Sequence, residues 1–299
     1  MLLRTAAATV LVASLGGLAS AAPQPTKVHV GLSASFVTAG GGKLWVTDHR
    51  AGRLVKVDPA GGSVKARVAV AGYPFGIAYG AGSVWVGSRY QNRVTRINAK
   101  TERRQARIHV GDAPYALVYG AGSVWVTNEG SGSVSRSSPR RNKVTKTIRV
   151  GGQPDGIALA FGKAWVADYG RGRLIRVDPK RNRVERSIDL PHADWITPGL
   201  GSLWVSSEAG NVYRVDPATM TVQATVTVGA NPLASAWIGG RLWVPNIDSN
   251  TVSVVDPATA TATVERTIPV GPSPIALAAA AGSARVTSEF DGELWRFDP

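Results

Sequence analysis

The pentapeptide GSVWV at residues 82–86 returns unchanged at 122–126. Near-copies stand at 42–46 (GKLWV), 162–166 (GKAWV), 201–205 (GSLWV) and 240–244 (GRLWV), and a seventh, GSARV at 282–286, carries arginine in place of tryptophan. The central residues are Trp45, Trp85, Trp125, Trp165, Trp204, Trp243 and Arg285, at steps of 40, 40, 40, 39, 39 and 42. So regular a period marks a repeat architecture. Within one period the segments PFGIAYG, SVWVGS, RVTRIN and RRQARIHV alternate apolar with polar residues and are bounded by Gly, Asp, Asn or Pro. That pattern predicts four short strands, a to d, per repeat. No sustained 3.6-residue period follows the N-terminal segment, so the fold class is all-β.

Radial repetition of four-stranded antiparallel sheets is a β-propeller; a solenoid is the competing arrangement. The last unit decides between them. It supplies only a (PIALAAA), b (SARVTS) and c (ELWRF), while KVHVG at 27–31 matches the strand-d sequence RIHVG at 107–111. The expectation is a seven-bladed propeller closed by its N-terminal strand, which removes exposed sheet edges. Turn chemistry agrees. VDP recurs at 57–59, 177–179, 215–217 and 255–257, with Asp and Pro where a type I turn wants them. A Val-Gly pair followed by Pro marks most crossings from strand d to the next blade.

A tryptophan repeated in every blade suits wedge-filling between twisted sheets better than an asymmetric ligand site. Strand c carries a basic residue at one slot: Lys56, Arg96, Arg136, Arg176, Arg214 and Arg296, with Val254 the exception. These predict a structural ladder stacked on the tryptophans, with a ring of cations facing an anion as the alternative. Arg285 points to a looser closure in the seventh blade.

The chain has 34 Gly, 18 Pro, 44% hydrophobic residues and no cysteine, which excludes disulfides, thiolate metal sites and a cysteine nucleophile. MLLR, an apolar TAAATVLVASLGGLA and a small-residue ASA at 19–21 read as a signal peptide, 1–21, cut near Ala21. Residues 22–299 are then a single exported domain, periplasmic or extracellular, expected to be a monomer. Charge is uneven. Residues 41–190 hold 27 basic and 10 acidic side chains, whereas 191–299 hold 5 and 10. That asymmetry predicts an anionic partner for one half or serves solubility.

RLWVPNIDSNTVSVVDPATATATVERTIPVGPSPIALA at 241–278, with WVTN at 125–128, resembles the YVTN-type β-propeller repeat. The G-x-L-W pattern is also similar to the propeller of virginiamycin B lyase. The first resemblance implies secreted or periplasmic binding proteins; the second implies a metal-assisted ring-opening lyase using a His and a Glu-x-His pair near Mg²⁺. On that second pattern Glu208 fits the acid, but Trp195 stands in place of the first His and Gly210 in place of the second.

Sites are expected where the blades differ, at the channel mouth formed by the d-to-a crossings and b-to-c loops. The candidate ligand residues are His49, Tyr90, Tyr115, Asp155, Tyr169, His192, Asp194, Trp195 and Glu208. Aromatics beside carboxylates suit a sugar-like, peptide-like or aromatic ligand. Three of these residues lie in the one crossing without Gly and Pro in register, LPHADWITPG at 190–199. Asp48, Asn128, Asp168 and Asn246 share the last slot of strand b; they fit a calcium-dependent lactonase-like site or, more simply, hairpin caps. No catalytic residue, metal or cofactor is assigned. The c-to-d turns of three successive blades bring Lys100, Arg103, Arg104, Arg140, Arg141, Lys143, Lys180, Arg181 and Arg183 into one arc. That arc could hold an envelope polyanion or, second, nucleic acid. The reading is a non-catalytic binding propeller, with a divergent metal-dependent lyase or lactonase built on Glu208 and His192 as its alternative.

Overall fold

Among the described residues, twenty-eight strands fold into seven four-stranded antiparallel sheets. The computed structural model describes residues 25–258 and 262–298; the expected signal peptide lies outside them. Six blades run in chain order from a to d. The seventh has the order β1-β28-β27-β26, in which β1 (Thr26–His29) is hydrogen-bonded antiparallel to β28 (Glu293–Phe297), outside β27 (Ser283–Ser288) and β26 (Pro274–Ala280). Val28 faces Leu294 and Lys27 faces Trp295 across this pair. The ring therefore closes as expected. Among the described residues, no helix is long and apolar enough to cross a membrane.

All six tryptophans of the repeated pentapeptide are at most 1% exposed, so they pack and present no ring to a ligand. Burying such an indole removes on the order of 200 Å² from water. Strand c places a partner directly opposite each: Trp45 faces Lys56, Trp85 faces Arg96, Trp125 faces Arg136, Trp165 faces Arg176 and Trp204 faces Arg214. Four of these cations lie over the indole at 4.8–5.4 Å. In the sixth blade Val254 stands opposite Trp243, and Arg266 from strand d, itself opposite Val254, covers the ring at 5.2 Å. The exception is Arg176, whose Nε turns to Glu185 at 3.2 Å.

The ladder also ties blade to blade. Arg96 donates to the Pro139 carbonyl and to Asn142 Oδ1, at 2.6 and 2.9 Å, in the next blade's c-to-d turn. Arg136 repeats the contact one blade on, to Pro179 O and Asn182 Oδ1, at 2.7 and 2.9 Å. At the seam, Arg296 reaches Ala60 O at 3.2 Å and Arg285 donates to Pro59 O. Arg285 is thus a buried tie between the last blade and the first, which replaces the expectation of a looser closure. Near the axis a second set of ties repeats in alternate blades. Thr47 Oγ1 donates to Phe75 O (2.9 Å), Thr127 Oγ1 to Asp155 O (2.6 Å) and Ser206 Oγ to Leu233 O (2.9 Å).

Replacing Trp125 with alanine should destabilise the propeller by about 3–5 kcal/mol, measured by denaturant unfolding. A cost below about 1 kcal/mol would contradict the wedge role.

Candidate functional site at the channel mouth

On or just before each innermost strand, one residue stands ten positions before the repeat's central residue. Around the ring these are Ser35, Phe75, Tyr115, Asp155, Asp194, Leu233 and Ile275. One position further on stand Phe36, Gly76, Ala116, Gly156, Trp195, Ala234 and Ala276. The small members of this second set permit close approach between blades. A Cβ on Gly76 would sit 1.9 Å from Tyr115 O, and one on Gly156 would sit 2.3 Å from Asp194 O. The two large members meet across the axis, with the Phe36 and Trp195 rings 5.2 Å apart. Phe36 also packs edge-on against Phe75 at 4.9 Å and Tyr115 at 6.3 Å. Leu233, Ala234, Ile275 and Ala276 belong to the same apolar cluster. These side chains floor the mouth with an aromatic plug.

Above the plug one sector is acidic. Asp155 and Asp194 come from adjacent blades, are only 7% and 8% exposed, and each leaves its Oδ1 without a hydrogen-bond partner. Burial holds both carboxyls well above the usual carboxylate range. The charges of Asp194 and Glu129 add to the effect on Asp155, and those of Glu208 and Glu129 to the effect on Asp194. One guanidinium, Arg89, opposes the effect on Asp155. It is ion-paired to Glu129 and lies over the Tyr115 ring at 5.3 Å and the Phe75 ring at 6.0 Å. Burial, then the two aspartates, pushes the Tyr115 hydroxyl well up. At the rim Tyr169 donates its hydroxyl to Glu208, and that bond raises the phenol to about 12.

The nine candidate residues therefore separate. Tyr115, Asp155, Asp194 and Trp195 line one sector, with Tyr169 and Glu208 bordering it. His192 is exposed in a left-handed backbone conformation, φ 55°, and meets Glu208 through its carbonyl, which accepts the Glu208 N–H at 3.2 Å. His49 is buried, 4% exposed, with Nδ1 bonded to Ser35 Oγ and Nε2 3.2 Å from Glu289. Tyr73 packs on its ring at 4.3 Å, and the exposed Tyr90 packs on Tyr73 at 4.8 Å. Burial, followed by the charge of Arg50, depresses His49 to about 4. A neutral ring satisfies both contacts, with Nε2–H donating to Glu289 and Nδ1 accepting the Ser35 hydroxyl. Ser35, His49 and Glu289 have the order of a hydrolytic relay, yet Ser35 is fully buried. The chain of contacts joins the seventh blade to the first.

Four further residues sit at the last slot of strand b. Asp48 accepts from the Leu32, Ser33 and Ala51 amides, and Asp168 from Gln153 and Arg171. Asn128 donates to Ser133 and Ser135, and Asn246 to Thr251 and Ser253. The cap reading fits Asp48 and Asp168, whereas Asn128 and Asn246 bond across the hairpin to strand c and leave their buried Oδ1 atoms unpartnered. Sequence reasoning passed over Phe36, Tyr73, Arg89, Glu129 and Glu289. The fixed offset from the repeated tryptophan would have found Phe36, and the other four lie in the crossings and b-to-c loops already marked as variable. On the opposite face, the nine basic arc residues are all exposed. Strand d adds exposed Arg107, Lys146, Arg149 and Arg186, cations that also blunt pairing at the outer sheet edges.

No protein-family model matches the chain, and no curated protein matches it. Solved structures do. The chain superposes on a hydrazine synthase structure from Kuenenia stuttgartiensis with a TM-score of 0.80 at 14% identity, covering 92% of this chain and 97% of that one. It superposes on a streptogramin B lyase structure with a TM-score of 0.79 at 15% identity, covering 91% and 96%. At such identities the likeness is one of fold, and it bears out the architecture implied by the virginiamycin B lyase resemblance.

A carboxyl whose pKa is raised on folding favours the folded state most below the unfolded value of about 4, and this contribution falls as pH rises toward the folded value. Asp155→Asn or Asp194→Asn should therefore stabilise the protein by about 1–3 kcal/mol at pH 8. The gain should vanish at pH 4, as read from thermal unfolding across pH. Equal effects at both pH values would contradict the assignment.

Proposed function

We propose that this propeller is an exported binding protein whose recognition site is the acidic, aromatic-floored sector of the channel mouth. The observation that carries the reading is the pair Asp155 and Asp194, two buried carboxyls in neighbouring blades with acceptor oxygens left unpartnered. A buried polar atom without a partner costs about 1–3 kcal/mol. A ligand group bringing N–H or O–H donors would remove that cost. A primary ammonium does most, because it supplies three donors and a charge that draws both carboxyls into their ionised form. Tyr115 and Trp195 border the same sector and suit the apolar body of an amino sugar, a peptide N-terminus or an aromatic amine. The plug beneath makes this a shallow site for the end of a ligand, not a through-channel.

Lyase or lactonase chemistry would require Glu208 and His192 to act together. Glu208 is engaged by the Tyr169 hydroxyl, and His192 reaches it through the backbone, so the contacts favour binding. The exposed basic arc complements the mouth by holding the protein on an anionic envelope polymer.

Calorimetric titration with benzylammonium and glucosamine tests the mouth. Saturable binding is expected, weakened about 10–100-fold in the Asp155→Asn/Asp194→Asn double variant. Absence of binding, or equal binding by the variant, contradicts the reading. For the arc, heparin retention should fall with salt and be lost in Arg103→Glu/Arg140→Glu/Arg181→Glu; unchanged retention counts against it.

A further inference from the structure

The seam between the last blade and the first departs from the repeat in a way that the mouth does not explain. In every other blade an indole fills the central slot of strand b; here it is Arg285, 3% exposed. Directly opposite on strand c stands Arg296. Like charges facing each other across an antiparallel pair are destabilising, and a guanidinium removed from water needs partners for its donors. Arg285 has them only in part. It donates to Pro59 O, while its buried Nη1 has no partner. Arg296 is served by Asp298 Oδ1 at 3.1 Å and Ala60 O at 3.2 Å.

The nearby acids are already engaged. Asp58 accepts from Lys43 Nζ at 3.0 Å and from the Ala60 and Gly61 amides at 3.0 and 3.2 Å. Asp298 accepts from Ser283 as well as Arg296. Both arginines line a cavity of about 320 Å³ between the blades, with Lys27 from the closing strand, and with Gly61 and Gly62, where no side chain intrudes. Two guanidiniums thus border a space large enough for a small ion, while the Lys27 ammonium lies over the Trp295 ring at 5.1 Å, and the two carboxylates beside them are committed to other donors.

We propose that this seam cavity is an anion site, taking one small tetrahedral oxyanion of the phosphate class between Arg285 and Arg296. The oxyanion supplies the acceptor that Nη1 lacks and screens the two guanidiniums from each other. Because both arginines also bond to the Pro59–Ala60 turn of the first blade, the ion stabilises ring closure when it binds.

Thermal unfolding in inorganic phosphate, against chloride at matched ionic strength, tests the site. The wild-type protein should show a saturable Tm rise of a few degrees. The rise should persist in Arg103→Glu/Arg140→Glu/Arg181→Glu, which removes cations of the surface arc alone. Arg285→Trp restores the repeat's own residue and should abolish the phosphate response. Arg296→Gln, which leaves the buried tie intact, should weaken phosphate at least about 10-fold. A wild-type protein without a saturable response overturns the proposal. So does an Arg285→Trp or Arg296→Gln protein that responds like wild type, since the ion would then sit elsewhere.

Discussion

Seven twisted sheets arranged about an axis face one geometric constraint: they converge at the centre and diverge at the rim, so each gap between them is a wedge. The repeated tryptophan fills that wedge. Its burial makes the pentapeptide periodic, since the same gap recurs seven times. The cation laid over five of the six indoles extends the solution outward. A guanidinium stacks its face on the ring while its edge donates to the turn of the next blade, as Arg96 and Arg136 do. Packing within a blade and bonding between blades are then one contact. Val254 shows the tolerance of the scheme, because Arg266 covers the ring in its place, whereas Arg176 pairs with Glu185.

Near the axis the constraint reverses, and there is too little room. Five blades answer with Gly or Ala, leaving space that Phe36 and Trp195 fill from two sides. With the centre closed by aromatic packing, the polar residues one slot above it have no continuous water column beneath. That low-dielectric floor explains why Asp155 and Asp194 resist ionisation while Asp58, on an exposed turn beside Lys43, is pulled down to about 2. The same side-chain type takes opposite proton affinities according to its place along the radius.

The architecture was legible in the sequence because it is written seven times; blade number, strand order and the closing strand follow from the spacing of the tryptophans and from KVHVG. The site was legible in part. Asp155, Asp194, Tyr115 and Trp195 stood out as departures from the repeat, and they do meet. His49 stood out equally and is instead buried against Ser35 and Glu289. The loop position it shares with other mouth residues says nothing about which way a ring turns once a neighbouring blade offers it partners. Arg285 was misread for a related reason. A lost tryptophan suggests a lost contact, and the contact that replaces it lies 226 residues away in sequence.

Two adjacent carboxyls, held buried with an oxygen each unpartnered over the plugged channel, carry the proposed recognition. Carbon-detected NMR of the Asp side-chain carboxyls, followed from pH 3 to pH 10, observes them directly. Two mutually dependent titrations well above the ordinary aspartate range are predicted, assigned by their disappearance in Asp155→Asn and Asp194→Asn. Two independent titrations near pH 4 would show the carboxyls to be solvated, and the proposed recognition site would not exist.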